Sequence, residues 1–572
     1  MNTSKRLYIE EFSKFRNFLS CSSVQDIEYE YRCEYVRNTA ECQDKAYFFN
    51  YIDILYCSLN PTSDAQLYAY LILFICLCFI MFIILGSTAD RFFCPSLEML
   101  SKVMGLSEHL AGVTLLAFGN GSPDLFTSLA SIDDPTTTLY SNLLSAAIYV
   151  TTFVGGVICI IRPFHISGSN LLRDTTFFIL GTLYIDYAIE SDNYVTRLEA
   201  FCIISIYLAY LVVILLDQYL LKRRVNKMEK LMLKGTMSVV EFKNYTTLRQ
   251  EASIDILARG SRVIINIDAT RESFFGYDVS RNKHLFEQLW QTLNPIDPEE
   301  WSKAGWFGKS LICLKAPMNF ILTLFIPIVN YEEERHGWSK LLNCVQIVIL
   351  PFTTFLIIFE FQTWLGFPIC CHTLILTLPL AVIAFVSSRT DKAPYFHVCI
   401  AFLSAYGSIF VIYSCASETV EVLYVLGLVM NCSNSFLGCT LLAWGNGVGD
   451  LISNAALALH GYQKMAFAAC YGGPFFNTLL SLGLVLVIKT LRSETGHVHI
   501  PGGPLGENCF IFMVIILFCT LMWSMTTNFY VRRSVGIFSI LMYTLFFLYT
   551  LLGELEVIQT YAEVSEYGLD DF

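Results

Sequence analysis

The sequence predicts an all-α multi-pass membrane protein of about twelve transmembrane helices, arranged as two five-helix units of inverted topology. Three observations carry this expectation. Long apolar runs recur along a chain of 572 residues that is 55% hydrophobic and only 15% charged. A motif that begins at residue 112 returns at residue 438. The crossings expected between the two copies put the second copy upside down.

The first observation sets the class. A soluble protein carries charge on roughly a quarter of its residues, whereas this chain has a mean hydropathy of +0.53. Residues 67–86 read LYAYLILFICLCFIMFIILG, twenty positions without a charge, which is the length that crosses a hydrocarbon core of about 30 Å. Lipid offers backbone groups no hydrogen bonds, so such runs must be helices. Comparable spans are expected near 67–86, 106–131, 138–161, 174–190, 198–221, 342–361, 368–387, 396–416, 434–459, 464–489, 508–530 and 536–556. The apolar stretch 318–329 is only twelve residues long and contains Pro327; it reads as an interfacial or re-entrant piece.

Loop charges orient these spans. With residues 1–66 outward, the inward loops hold Arg162, Arg173, Lys222, Arg223, Arg224, Lys227, Lys230, Arg532 and Arg533. The outward ones hold Asp133, Asp134, Glu190 and Asp192, and the tail after Glu554 is acidic. Cys21, Cys33, Cys42 and Cys57 lie in the outward segment, where at least one disulfide is expected. The first twenty residues lack an apolar core and make no standard signal peptide. The net charge of -12 comes with no basic surface, so nucleic acid is not an expected partner; inorganic cations and the bilayer are. No cofactor is indicated, and oligomeric state has no signature in the chain.

The expected organisation runs from the extramembrane segment 1–66 to a first five-helix unit at 67–221. An inward hydrophilic loop, 222–341, follows. It opens on KRRVNKMEKLMLKG, read as a solvated helix end, and closes on Trp290, Trp301 and Trp306, which suggest docking onto the protein or membrane surface. Two linker helices fill 342–395, a second five-helix unit spans 396–556, and an acidic tail covers 557–572.

The repeat is specific. Residues 112–128 read GVTLLAFGNGSPDLFTS and 438–454 read GCTLLAWGNGVGDLISN, identical at ten of seventeen positions with a constant offset of 326. The first repeat core therefore spans 106–161 and the second 434–489. Seven crossings separate the start of the first unit from that of the second, five of its own and two linkers, so the second enters from the opposite face. Inverted repeats of this kind recur in secondary transporters, with the ion site near the bilayer midplane.

Within each repeat the second helix is expected to break at the same place. Gly119, Asn120, Gly121, Pro123 and Asp124 match Gly445, Asn446, Gly447, Gly449 and Asp450. Glycine weakens a helix interior and proline removes a donor, and freed carbonyls in a membrane suit a bound cation. Asn120 and Asp124, like Asn446 and Asp450, stand at i and i+4 on one helix face. Carboxylate and amide oxygens form a hard donor set suited to Ca²⁺ and Na⁺, not to zinc or copper. An Asp at a helix centre costs roughly 2.5–3.5 kcal/mol on insertion scales, so a duplicated pair argues for a site. The third helices add Thr151 and its equivalent Asn477, beside Gly472 and Gly473. Small and hydroxyl residues there also serve plain helix packing. Glu418 and Asp186 read as structural or interfacial groups.

On these residues the chain resembles the cation/calcium exchanger superfamily. The resemblance rests on AGVTLLAFGNGSPD (111–124), LGCTLLAWGNGVGD (437–450), MAFAACYGGPFFN (465–477), the Cys33, Cys42 and Cys57 pattern, and Phe93-Cys94-Pro95. It is most similar to the mitochondrial sodium/calcium exchanger branch, which also admits lithium. The resemblance implies a fold of the sodium/calcium exchanger type and antiport of Ca²⁺ for Na⁺, and of Li⁺ as this branch allows. It also implies alternating access through Asn120, Asp124, Asn446, Asp450 and Asn477, and an inner mitochondrial membrane location, with plasma or other intracellular membranes as the alternatives. Two departures stand out: Gly447 where the family often has Ser, and Asn454 where it often has a second acidic residue.

Three other readings compete. Proton- or potassium-coupled calcium exchange would use the same site. Gly447-Val448-Gly449-Asp450 also matches the GxGD motif of intramembrane aspartyl proteases, but the inverted repeat has no explanation there. A cation channel needs an open path, whereas one midplane site on interrupted helices suits a carrier.

Overall fold

The computed structural model describes residues 21–557 apart from 40–41, 43–47, 131–138, 192–193, 234–240, 242–244, 246–281, 283, 297–300, 303–304, 331–334, 360–361, 365–366, 431–433, 494–495, 500–502 and 556. The described residues are mostly helical. The first unit holds α1 (Asp64–Met104), α2 (108–130), α3 (Tyr140–Ile161), α4 (Gly168–Glu190) and α5 (Arg197–Leu233). Four helices follow: α6 (Leu285–Leu293), α7 (Trp306–Phe325), α8 (Lys340–Phe359) and α9 (Ile369–Ser387). The second unit holds α10 (His397–Val429), α11 (434–459), α12 (Gln463–Arg492), α13 (Gly503–Thr526) and α14 (Arg533–Glu554).

Local chemistry sets the sharp corners that lead into α2 and α12. Gly105 adopts a left-handed conformation (φ 60°) that ends α1, and Ser107 then caps α2 by accepting a hydrogen bond from the Leu110 amide. In the second unit a left-handed glycine, Gly461 (φ 98°), turns α11 into α12. α1 is much longer than the apolar run at 67–86. Its continuation past Asp90 is amphipathic, and it buries Phe92, Phe93, Leu97 and Leu100.

Short strands fix how the two units are related. Strand β1 (Phe164–His165) follows α3 and pairs antiparallel with β6 (Tyr530–Val531), which lies between α13 and α14. Strand β2 (Tyr194–Thr196), between α4 and α5, pairs with β5 (His497–His499), which follows α12. A third hairpin, β3 (Thr363–Trp364) with β4 (Phe367–Pro368), turns α8 into α9. The fourth helix of each unit separates its 3–4 loop from its 4–5 loop, so these loops lie at opposite ends. Parallel repeats would bring like loops together. Here each 3–4 loop pairs with the other unit's 4–5 loop, which requires one unit to be inverted.

Among the described residues nine helices are long and apolar enough to cross a membrane, against about twelve expected. The three expected spans that fall short are formed but more polar. α2 and α11 carry the Gly-Asn-Gly motifs, and α4 carries Arg173, Asp174 and Asp186. α3 and α12 form the centre, with 72% and 67% of their apolar windows buried, against 22% in α1 and α9. The outer helices expose Ile375, Leu376 and Ile383, as lipid-facing surface does.

Two disulfides, Cys21–Cys42 and Cys33–Cys57, staple the segment before α1. That segment packs onto α1 and α10, the equivalent first helices of the two units, around Val24, Tyr51, Leu55, Phe74, Val425 and Leu428. Glu418 of α10, only 3% exposed, accepts a 2.8 Å hydrogen bond from the Phe48 amide beneath it. Asp186 accepts from the Tyr140 hydroxyl at 3.2 Å. Both carboxylates therefore serve tertiary contacts.

The stretch 318–329 is not a separate short element. It lies at the end of α7, a 20-residue helix that contains Pro317. The chain then passes Pro327, whose carbonyl accepts from Ser404 of α10 at 2.7 Å, and Val329, which is buried against Trp338 and Ile400. Trp290 and Trp306 are 76% and 88% exposed, so neither docks onto the protein.

Candidate functional site

α2 and α11 do not break where the sequence suggested. Both stay helical through Gly119–Asp124 and Gly445–Asp450. The irregularity comes one to two turns earlier, as π-helical turns at Gly112–Leu116 and Gly438–Leu442. α3 and α12 carry their own at Tyr149–Val154 and Phe476–Ser481. Single π turns inside α-helices are frequent at functional sites, because they rotate the following face and loosen the carbonyl ladder. The four sit at matched positions, the first pair offset by the same 326 residues as the motifs.

The motif glycines are therefore contact points, not breaks. A Cβ on Gly112 would collide with the Met465 carbonyl, and one on Gly472 would stand 2.8 Å from Val113 Cα. Only glycine lets α2 and α12 approach so closely. A Cβ on Gly121 would come within 2.7 Å of Asn477 Oδ1, one on Gly445 within 2.7 Å of Val420 Cγ2, and one on Gly447 would run into the Tyr149 ring. A Cβ on Gly119 or Gly449 would have looser neighbours at 3.3 Å, and one on Gly473 would meet none within 4 Å. The Tyr149 ring thus fills the space that a hydroxyl would need at position 447. The side chain of Pro123 lies outside the described residues.

The structure brings five predicted polar residues together from both units. Asn120 Nδ2 donates to Asp450 Oδ1 at 2.6 Å. Asn477 Nδ2 donates to Asp124 Oδ2 at 2.7 Å. Each carboxylate is thus engaged by an amide of the opposite repeat. Two cavities flank this cluster and share Asp124, Asn446 and Asp450 in their walls. One is also lined by Tyr413 and Ser417 of α10. The other reaches Ser128 and Asn142 near the start of α3. Asn446 is exposed, and the buried Asn477 Oδ1 has no hydrogen-bond partner. Both offer carbonyl oxygens to a hard cation.

Thr151 does not join them. Its hydroxyl donates to its own helix, to the Ala147 carbonyl at 2.8 Å, and the side chain is 4% exposed. A buried Thr in a helix satisfies itself this way, whereas the longer amide of Asn477 reaches across to Asp124. The two third helices are equivalent in position but not in chemistry.

Sequence reasoning missed Ser453. Its Oγ accepts from Asn120 Nδ2 at 3.1 Å and donates to the Gly449 carbonyl at 2.7 Å. With Nδ2 held by two acceptors, the Asn120 amide turns its carbonyl oxygen away from Asp450. A serine one turn beyond Asp450 was the only signal, and it is indistinguishable there from a packing residue. Asn142 and Ser128 were missed for the same reason.

The chain matches the family described as sodium/calcium exchanger protein over residues 74–216 and 400–552, the two repeat units. It is 30% identical over 556 residues to the mitochondrial sodium/calcium exchanger protein of Rattus norvegicus, covering 95% of this chain and 91% of that one. The protein of the same name from Homo sapiens is 30% identical over 83% of this chain and 80% of its own. Cation/calcium exchanger 1 of Arabidopsis thaliana is 29% identical over 86% of this chain and 81% of its own.

Proposed function

The chain belongs to the sodium/calcium exchanger protein family, and on that premise we propose that it is a secondary active transporter exchanging Ca²⁺ for Na⁺ by alternating access. The observation that carries the reading is the cross-bonded pair: Asp124 and Asp450, one from each inverted repeat, each engaged by an amide of the other. Asn120, Asn446 and Asn477 complete an all-oxygen ligand set around them. Relatives named mitochondrial exchangers support the inner mitochondrial membrane as its location.

Exchange follows from charge. Two carboxylates held in the bundle centre are expensive to leave uncompensated, at roughly 2.5–3.5 kcal/mol each even on the mildest scales. One Ca²⁺ cancels both charges, and so do two Na⁺. The loaded protein can therefore reorient and the empty one is hindered, which makes flux of one ion depend on counterflux of the other. Because the repeats are inverted, exchanging their conformations moves access from one face to the other around a fixed site. Li⁺ fits the same hard oxygen set.

The test is calcium efflux from vesicles carrying the full chain, with sodium, lithium, potassium or a proton gradient outside. Efflux driven by sodium, and by lithium within severalfold, is expected. Efflux driven only by protons would change the coupling ion, and no efflux under any gradient from folded protein would overturn the reading.

A further inference from the structure

The two halves of the ion path are related by the repeat, yet they are not in the same state. On the disulfide side a cavity runs from Asp124 past Ser128 and Ala146 to Asn142. Adding the repeat offset of 326 gives the equivalent positions on the other side: Asn454, Gly472 and Ala468. There the path is shut at Asn454 and Gly472, short of a cavity that Ala468 lines with Glu108, His109 and Lys464. Asn454 is 0% exposed and Ala468 4%, and Gly472 lies against Val113. The Asn454 amide donates only a long 3.6 Å contact to Cys470 Sγ, and its Oδ1 is buried with no hydrogen-bond partner. An unsatisfied buried carbonyl is costly unless another state of the protein satisfies it.

We propose that Asn454 lines the ion route to the face opposite the disulfides, closed in this conformation, and that its amide carbonyl meets water or the passing cation when that route opens. This rests on the antiport reading above and assigns Asn454 as the counterpart of Ser128. Inversion of the repeats supplies the logic. When the units exchange conformations, the space lined by Ser128 and Asn142 closes, and that between Asn454 and Gly472 opens toward the cavity at Ala468. The orphaned oxygen then finds its partner.

The experiment labels Asn454→Cys and Ser128→Cys in the full-length protein with a membrane-impermeant thiol reagent. The reagent is applied from either face, in sodium, in calcium or in neither, and labelling of the unsubstituted chain is the background. The expected result is that Asn454→Cys reacts only from the face opposite the disulfides. Conditions that raise its rate should lower that of Ser128→Cys from the disulfide face by roughly tenfold. Labelling of Asn454→Cys from the disulfide face, or none in any ion from folded protein, overturns the proposal. If Asn454→Cys fails to fold, Asn454→Ser carries the mate's own residue. Native Cys470 beside it should then label from the same face, and its silence would count against the route equally. Labelling requires no net calcium flux, so failure of sodium-driven antiport and failure of this assignment are separate outcomes.

Discussion

Asn120 reaches from the first repeat to the second and donates its amide to Asp450 Oδ1 across 2.6 Å. Its counterpart contact, from Asn477 to Asp124 at 2.7 Å, runs the other way. The site is therefore a seam between two halves, and either half alone presents an unpaired carboxylate. Replacing Asn120 by Ala removes both a hydrogen bond to a charged group and a carbonyl ligand. A bond of that kind contributes about 1.5–3 kcal/mol, so apparent calcium affinity in flux assays should fall by roughly tenfold or more. Unchanged affinity would mean that Asn120 only packs.

Ser453 should matter less and in a particular way. Ser453→Ala frees one side of the Asn120 amide, and a net hydrogen bond is about 1 kcal/mol. The calcium concentration for half-maximal flux should rise by about fivefold, with maximal flux nearly kept. Ser453→Thr retains the hydroxyl and should restore affinity. Equal effects of the two substitutions would point to packing alone.

Gly121 and Gly473 make a matched pair of tests. A methyl on Gly121 would meet Asn477 Oδ1 at 2.7 Å, while one on Gly473 meets nothing within 4 Å. Gly121→Ala should displace Asn477 from Asp124 and slow exchange severalfold. Gly473→Ala should leave transport intact and raise thermal stability by up to about 1 kcal/mol through helix propensity alone. Comparable transport loss in both variants would contradict this.

The crossed strand pairing fixes the parity of the crossings between the units. α8 and α9 supply an even number, so α7 must begin and end on the face opposite the disulfides. Single cysteines at Lys309 and Asn330 should both react with an impermeant thiol reagent from that face. Opposite accessibility of the two would make α7 a span.

Much of this was legible in the chain because a membrane narrows the choices. Uncharged runs had to be helices, and the ten identities between 112–128 and 438–454 had to be a repeat. Intramembrane Asp124 and Asp450 had to be compensated. Asn477 was found through its offset from Thr151, and the structure separates the two: a hydroxyl bonds its own helix, and an amide crosses the seam. The π turns were not legible. Glycine and proline signal backbone irregularity, but packing decides where it falls, and here it falls at Gly112–Leu116 and Gly438–Leu442. Apolarity undercounts the spans for a physical reason, since α2 and α11 are polar because they carry the site. Ser453, Ser128 and Asn142 are small polar residues whose neighbours come from the other repeat, and no local pattern marks them.

The most direct test of the shared site is sodium-driven calcium efflux from vesicles containing the unsubstituted chain, Asp124→Asn or Asp450→Asn. Either substitution removes one of the two charges that balance Ca²⁺, and the account predicts that each alone abolishes efflux while the protein remains folded. Efflux that persists in either variant would mean that the two repeats do not share one site.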